Sequence, residues 1–165
     1  MFELGEYVVC GNNGVCQIKD ITQLSMGGVD KNRKYYILKP VYSGASTIYI
    51  PVDTLQSSMR KIISRKEADE LVSSIPAIQV ISIEDEKTAE TQYRECMMTN
   101  QCTEWIKLWK TLYYRNKKRL EKGHKVTAVD GRYIKLVEDN LCGELAIVWG
   151  LSKPDVEKVI ISKME

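Results

Sequence analysis

Apolar and polar positions change rhythm once along this chain. From Leu4 to about Pro51 the apolar residues come in short runs rich in Tyr, Val and Ile: Tyr7-Val8-Val9-Cys10, Val15-Cys16-Gln17-Ile18, Lys34-Tyr35-Tyr36-Ile37-Leu38-Lys39 and Ser46-Thr47-Ile48-Tyr49-Ile50-Pro51. Such runs, punctuated by Gly11-Asn12-Asn13-Gly14, Met26-Gly27-Gly28-Val29-Asp30 and Tyr42-Ser43-Gly44, predict four or five strands joined by tight turns, the first two as a hairpin. Short strands this close together favour a small, strongly bent sheet or open barrel that limits exposed edges, of the SH3-like or Tudor-like kind.

After Pro51 the period lengthens to that of a helix. Ser64 with Glu67 three positions on is a capping-box pair, and the helix it starts, Arg65 to Ser74, must stop before Pro76. Thr88 to Thr99 predicts a second helix with Tyr93, Cys96 and Met97 on one face. Thr103 to Leu120 predicts a third, in which Trp105, Ile106, Leu108, Trp109, Leu112 and Tyr113 form one apolar side and the other side is basic. A further helix begins after Thr127, with Asp130 reaching back as its capping partner, and ends at Gly150. Ser152 and Pro154 open the last one. The fold class expected is therefore two-domain β + α: a small SH3/Tudor-like β-barrel over residues 1–60 and an all-α helical bundle over 61–165. The join is expected in 52–60 or around 74–86, where Glu84-Asp85-Glu86 reads as a solvated linker run.

Composition narrows the function. With 44% hydrophobic and 28% charged residues in 165, the chain has enough apolar content to fold. No apolar run approaches a membrane span, and the first residues lack a basic stretch followed by an apolar one, so a cytoplasmic location and no membrane partner are expected. The five cysteines, at 10, 16, 96, 102 and 142, include no C-x-x-C pair, which predicts reduced thiols and neither a zinc site nor a disulfide framework. His124 is the only histidine and lies in a Lys-rich loop. With no phosphate loop, no G-x-S-x-G and no paired histidines, no enzyme, no metal and no cofactor is expected.

Charge is unevenly spread. The formal net charge is only +2, yet between Tyr93 and Lys135 eleven basic residues stand against four acidic ones. Such a stripe, with Tyr113, Tyr114 and Tyr133 among the cations, suits phosphate contact through counterion release. A solvated helix face is the plain alternative. Trp105 and Trp109, at helical spacing, are expected in the core.

The segments Phe2-Glu3-Leu4-Gly5-Glu6-Tyr7-Val8-Val9, Gly14-Val15, Tyr35-Tyr36-Ile37-Leu38-Lys39 and Ile50-Pro51-Val52 resemble, in order and spacing, the RNA polymerase-interacting domain of the CarD/CdnL family of bacterial transcription regulators. Tyr93-Arg94, the run Leu108 to Arg115 and the run Asp139 to Ala146 are similar to that family's helical domain. The resemblance implies a non-enzymatic factor whose barrel pairs edge to edge with the polymerase β subunit, here through Gln23, Leu24, Ser25, Met26 and the strand through Tyr49. It also implies helices that lie on promoter DNA and modulate the open complex. The basic side chains that would serve are Arg94, Arg115, Lys117, Lys118, Arg119, Lys125 and Arg132. Two departures stand out. Where the family carries a tryptophan wedge this chain has Ala89, which cannot fill an unstacked base step, so contact falls to phosphates or to another aromatic such as Tyr93 or Tyr114. Leu24 and Tyr49 stand where the family often uses arginines.

An exposed sheet edge also permits a homodimer through strand pairing. Two other classes fit parts of the pattern: a protein-protein adaptor with no nucleic-acid contact, and a Tudor-like cage for methylated cations built from Tyr7, Tyr35, Tyr36 or Tyr49.

Overall fold

A computed structural model describes residues 2–24, 27, 32–42, 44, 46–53 and 59–165. The chain divides into two compact units, Met1–Ile62 and Ile63–Glu165.

The first unit is one antiparallel sheet of β1 (Tyr7–Cys10), β2 (Val15–Gln23), β3 (Lys34–Pro40), β4 (Ile48–Pro51) and β5 (Met59–Lys61), in the order β4-β3-β2-β1-β5. The β1–β2 hairpin forms where Gly11-Asn12-Asn13-Gly14 predicts it. Gly14 has φ 66° and ψ −148°, a region that side chains forbid, and this lets its carbonyl accept from the Cys10 N–H at 2.9 Å. One core face gathers Val8, Cys10, Cys16, Ile18, Tyr36, Leu38 and Met59, with Phe2, Ile21, Ile48, Ile50 and Val52 packed around them. The β2–β3 register slips by one between Ile18 and Asp20, which makes Lys19 a bulge. A bulge bends its strand and strengthens the local twist, and this supplies the curvature expected of the sheet. Closure does not follow. Among the described residues β4 and β5 remain free edges, so the expected barrel is an open five-stranded sheet.

The second unit packs α1 (Arg65–Ser74), α2 (Glu86–Met98), α3 (Cys102–Glu121), α4 (Ala128–Trp149) and α5 (Lys153–Met164). Caps set most of the starts. Ser64 and Glu67 form the reciprocal box, Thr127 accepts from Asp130 N–H at 3.1 Å, and Ser152 accepts from Asp155 N–H at 3.2 Å. Gly150, in the left-handed region at φ 68°, ends α4. Helix α2 starts earlier than its apolar pattern suggests, because Asp85 caps it by accepting from Lys87 N–H at 2.9 Å. The acidic trio is thus a helix start and not a linker. Trp105 and Trp109 lie fully buried with Tyr93, Leu108, Leu112, Leu141, Leu145 and Ile160.

The 74–86 segment is not a hinge. Lys110, buried on α3, donates from Nζ to the carbonyls of Ile75 and Ile78 at 2.7 Å each and of Pro76 at 3.2 Å, and Thr111 Oγ1 accepts from Ile81 N–H at 2.9 Å. The segment is therefore fastened along α3. At the front of this unit the buried Glu144 carboxylate accepts from Ile63 N–H at 2.9 Å and from the Cys102 thiol at 3.2 Å.

On α4, burial pushes the Glu138 carboxyl up to about 7, and the charges of Glu157 and Asp139 add to the shift. Its ordinary value is 4.5, so between roughly pH 4.5 and 7 the unfolded chain ionises first and stability falls as pH rises; above that window the loss is complete. Glu138→Gln is expected to raise the melting temperature by at least about 2 °C at pH 8 and to change it little at pH 4.5. Thermal melts at the two pH values check this, and an equal shift at both would contradict it.

Candidate functional site

Two surfaces bear on function, one in each unit. In the sheet unit it is the outer side of β4. Val52 N–H donates to the Lys34 carbonyl at 3.0 Å, which makes Lys34 and Val52 a hydrogen-bonded pair. Hydrogen-bonded and non-bonded pairs alternate in an antiparallel ladder, so with Ile37 opposite Tyr49 and Tyr35 opposite Pro51, residues 49 and 51 turn their backbone groups away from β3. Pro51 has no N–H to waste there, as suits an edge. Tyr49 offers both an N–H and a carbonyl outward, and its side chain is 43% exposed. Of the other residues expected to touch the polymerase, Gln23 is exposed and pairs with Lys34 at the end of the interior strand β2, and Leu24 follows it half-buried. Ser25 and Met26 lie outside the described residues. The ladder therefore does not bring Gln23 onto the β4 edge.

In the helical unit the surface is the basic side of α3. Arg115, Lys118, Arg119 and Lys122 recur at i, i+3, i+4 and i+7, and with His124 they line a groove of about 270 Å³. The exposed side chains of Lys117 and Lys125 stand near it in sequence. The arginines are largely spoken for. Arg115 Nε donates to Asp130 at 3.2 Å and its Nη2 to Glu86 at 2.7 Å, and Arg119 donates to the same Glu86 oxygen at 3.1 Å. Arg132 bonds Glu90 at 2.5 Å, and Arg94 lies 3.8 Å from that oxygen. Lys110, counted in the stripe by sequence, is buried.

These pairs shift the charges they join. The hydrogen bond from Arg115 holds the Glu86 carboxyl below its ordinary value. Burial pulls the Arg115 guanidinium down, but Glu86 and Asp130 outweigh it and carry the net shift upward. Asp130 is 1% exposed and accepts from Tyr93 Oη at 2.8 Å. Burial first, and then that hydrogen bond and charge, raise the Tyr93 hydroxyl. Asp130 is thus the centre of a buried polar cluster. Its backbone N–H meets the Thr127 cap, but its side chain does not reach back to it.

The aromatic substitutes for a wedge are also engaged inside. Ala89 is buried, as is Tyr93. Tyr114 donates to the Met164 carbonyl at 2.6 Å, and Tyr133, buried, donates to Glu90 at 3.4 Å. Tyr93 and Tyr114 therefore do not stand out from the surface as insertable rings. Of the carboxylates that hold these cations, the sequence places Glu86 in a linker run and Asp130 in a cap, and gives Glu90 no role. The i, i+4 spacing of the two glutamates on one helix was the available signal.

All five cysteines are free and buried, and burial pushes the thiols of Cys16 and Cys142 up to about 12. Among the described residues no three His, Cys, Asp or Glu converge as a metal site, and no helix is long and apolar enough to cross a membrane.

No curated protein matches the chain. Residues 2–63 match the family model of the CarD-like/TRCF RID domain, a protein-interaction domain whose bearers are RNA polymerase-interacting and transcription-related. The sheet with its open β4 edge is accordingly a CarD-like/TRCF RID domain, which this chain carries over residues 2–63.

Proposed function

We propose that this chain is a transcription regulator that adds its β4 edge to a strand of the RNA polymerase β subunit. Its helical unit then rests on promoter DNA without sequence preference and modulates open-complex stability. The observation that carries the reading is the outward backbone of Tyr49 on an edge strand of an RID domain. Edge pairing draws affinity from main-chain hydrogen bonds, so it tolerates Leu24 and Tyr49 where the family often has arginines. Tethering by the polymerase raises the local DNA concentration, so weak phosphate contacts suffice. In this role the protein works in the bacterial cytoplasm, on the nucleoid with the polymerase. Without polymerase, the same edge supports a homodimer.

Tyr49→Pro tests the pairing. Proline fits an edge position whose N–H points outward, so the sheet persists while the donor is lost. Retention of the full chain by purified β lobe is expected to fall at least about tenfold, with an unchanged far-ultraviolet spectrum, and Tyr49→Phe to bind as the parent does. Undiminished retention of the proline variant would remove edge pairing through β4. Open-complex lifetime with and without the protein reads out the regulatory step.

A second reading, an adaptor with no nucleic-acid contact, draws on the ion pairs that already occupy Arg115, Arg119 and Arg132.

A further inference from the structure

The basic residues expected at the DNA, together with Lys122, fall into two groups. Arg115, Arg119, Arg132 and Arg94 are tied to the α2 carboxylates Glu86 and Glu90, one helical turn apart. Lys117, Lys118, Lys122 and Lys125 are exposed and enter no ion pair among the described residues. A carboxylate and a phosphodiester are alternative ligands for the same guanidinium, so an arginine that already holds one gains little by exchanging it for the other. An unpaired lysine gives up only its hydration and releases a counterion from the duplex.

Lysines in the last turn of a helix are ordinary, because they offset the partial negative charge there. The row Arg115, Lys118, Arg119, Lys122 goes further: it edges a groove whose arginine side is neutralised and whose lysine side is open.

Resting on the proposed contact with DNA, we propose that the phosphate-binding surface of the helical unit is the lysine side of this groove, Lys118 and Lys122 with Lys117 and Lys125 beside it. In the same proposal, Glu86 and Glu90 act as built-in competitors that withhold Arg115, Arg119 and Arg132 from phosphate. The surface therefore binds duplex backbone weakly by construction. A carboxylate that served only to brace the bundle would change stability when neutralised and leave the salt dependence of DNA binding alone.

The test is fluorescence anisotropy of the full chain on a labelled duplex of about 25 base pairs, titrated with salt. Glu90→Gln keeps the size and a hydrogen-bonding oxygen, and it is expected to tighten binding about three- to tenfold and to steepen the log-log salt slope by about 1. Lys118→Gln with Lys122→Gln is expected to weaken binding and to flatten the slope by about 2. An unchanged slope in Glu90→Gln, with the lysine pair still required, overturns the competitor role and leaves DNA contact standing. Parental binding by the lysine variant overturns the surface. If the parent does not bind duplex at low salt, or binds it without salt dependence, the proposal and the DNA reading fall together and the adaptor reading takes their place.

Discussion

Asp130→Ala is expected to destabilise the helical unit by about 3–4 kcal/mol, measured by urea unfolding at neutral pH. The side chain is 1% exposed and accepts from the fully buried Tyr93 hydroxyl, which cannot turn to water when it is gone, and from the Nε of Arg115, whose side chain is only 20% exposed. Removing one partner of a buried charged cluster leaves the others desolvated and unmatched, and that penalty exceeds the net worth of the bonds themselves. Tyr93→Phe removes only a neutral donor and is expected to cost about 1 kcal/mol. Because the two groups are bonded, the double variant should cost less than the sum of the singles. A loss below about 1 kcal/mol for Asp130→Ala would mean that the cluster relaxes or takes in water, and that α2, α3 and α4 are held by apolar packing alone.

Lys110→Met is expected to cost about 2–3 kcal/mol. Methionine follows the path of the lysine stem, so the substitution isolates the ammonium, which donates to the carbonyls of Ile75, Pro76 and Ile78. Part of the loss should be local: amide exchange at Ile81, held by Thr111 on the next residue of α3, should speed up by more than that of amides deep in α4. A variant as stable as the parent would show that the 75–81 segment is fixed by Ile75 burial, with the lysine as a bystander.

Much of the architecture was legible because it is written in neighbouring residues. Ser64 with Glu67, Thr127, Ser152 with Pro154 and Gly150 each mark a helix boundary through bonds that span three or four positions. The β1–β2 turn is fixed by Gly14 in the same local way. What escaped depends on partners far along the chain. Glu86 reads as a solvated acid until Arg115, 29 residues later, is brought beside it. Lys110 counts as one more cation on a basic helix until the 75–78 carbonyls close over it. Asp130 is well placed for a cap by spacing, and only the approach of Tyr93 and Arg115 turns its carboxylate inward. A strand's own sequence does not say which neighbours it will have: the resemblance pointed to both Gln23 and the strand through Tyr49, and the ladder puts β4 at an edge but Gln23 on β2. The candidate site follows the same division: positive charge can be counted along the chain, and its availability is decided by tertiary pairing and burial.

The bulge in β2 sets how the chain can change in length. Ile18 faces Leu38 and Ile21 faces Tyr36, so the core side is carried by an even-numbered residue before Lys19 and an odd-numbered one after it. Loss of Lys19 alone would leave every one of those partnerships in step and merely straighten the strand. Loss of Asp20 would do the same, with Lys19 taking its place opposite Ile37, whereas loss of a residue elsewhere within the ladder would throw one end out of phase and turn isoleucines outward. A gap of one residue is thus tolerable in this strand only at the bulge, and drift in length among related chains is expected to collect there or in the turns.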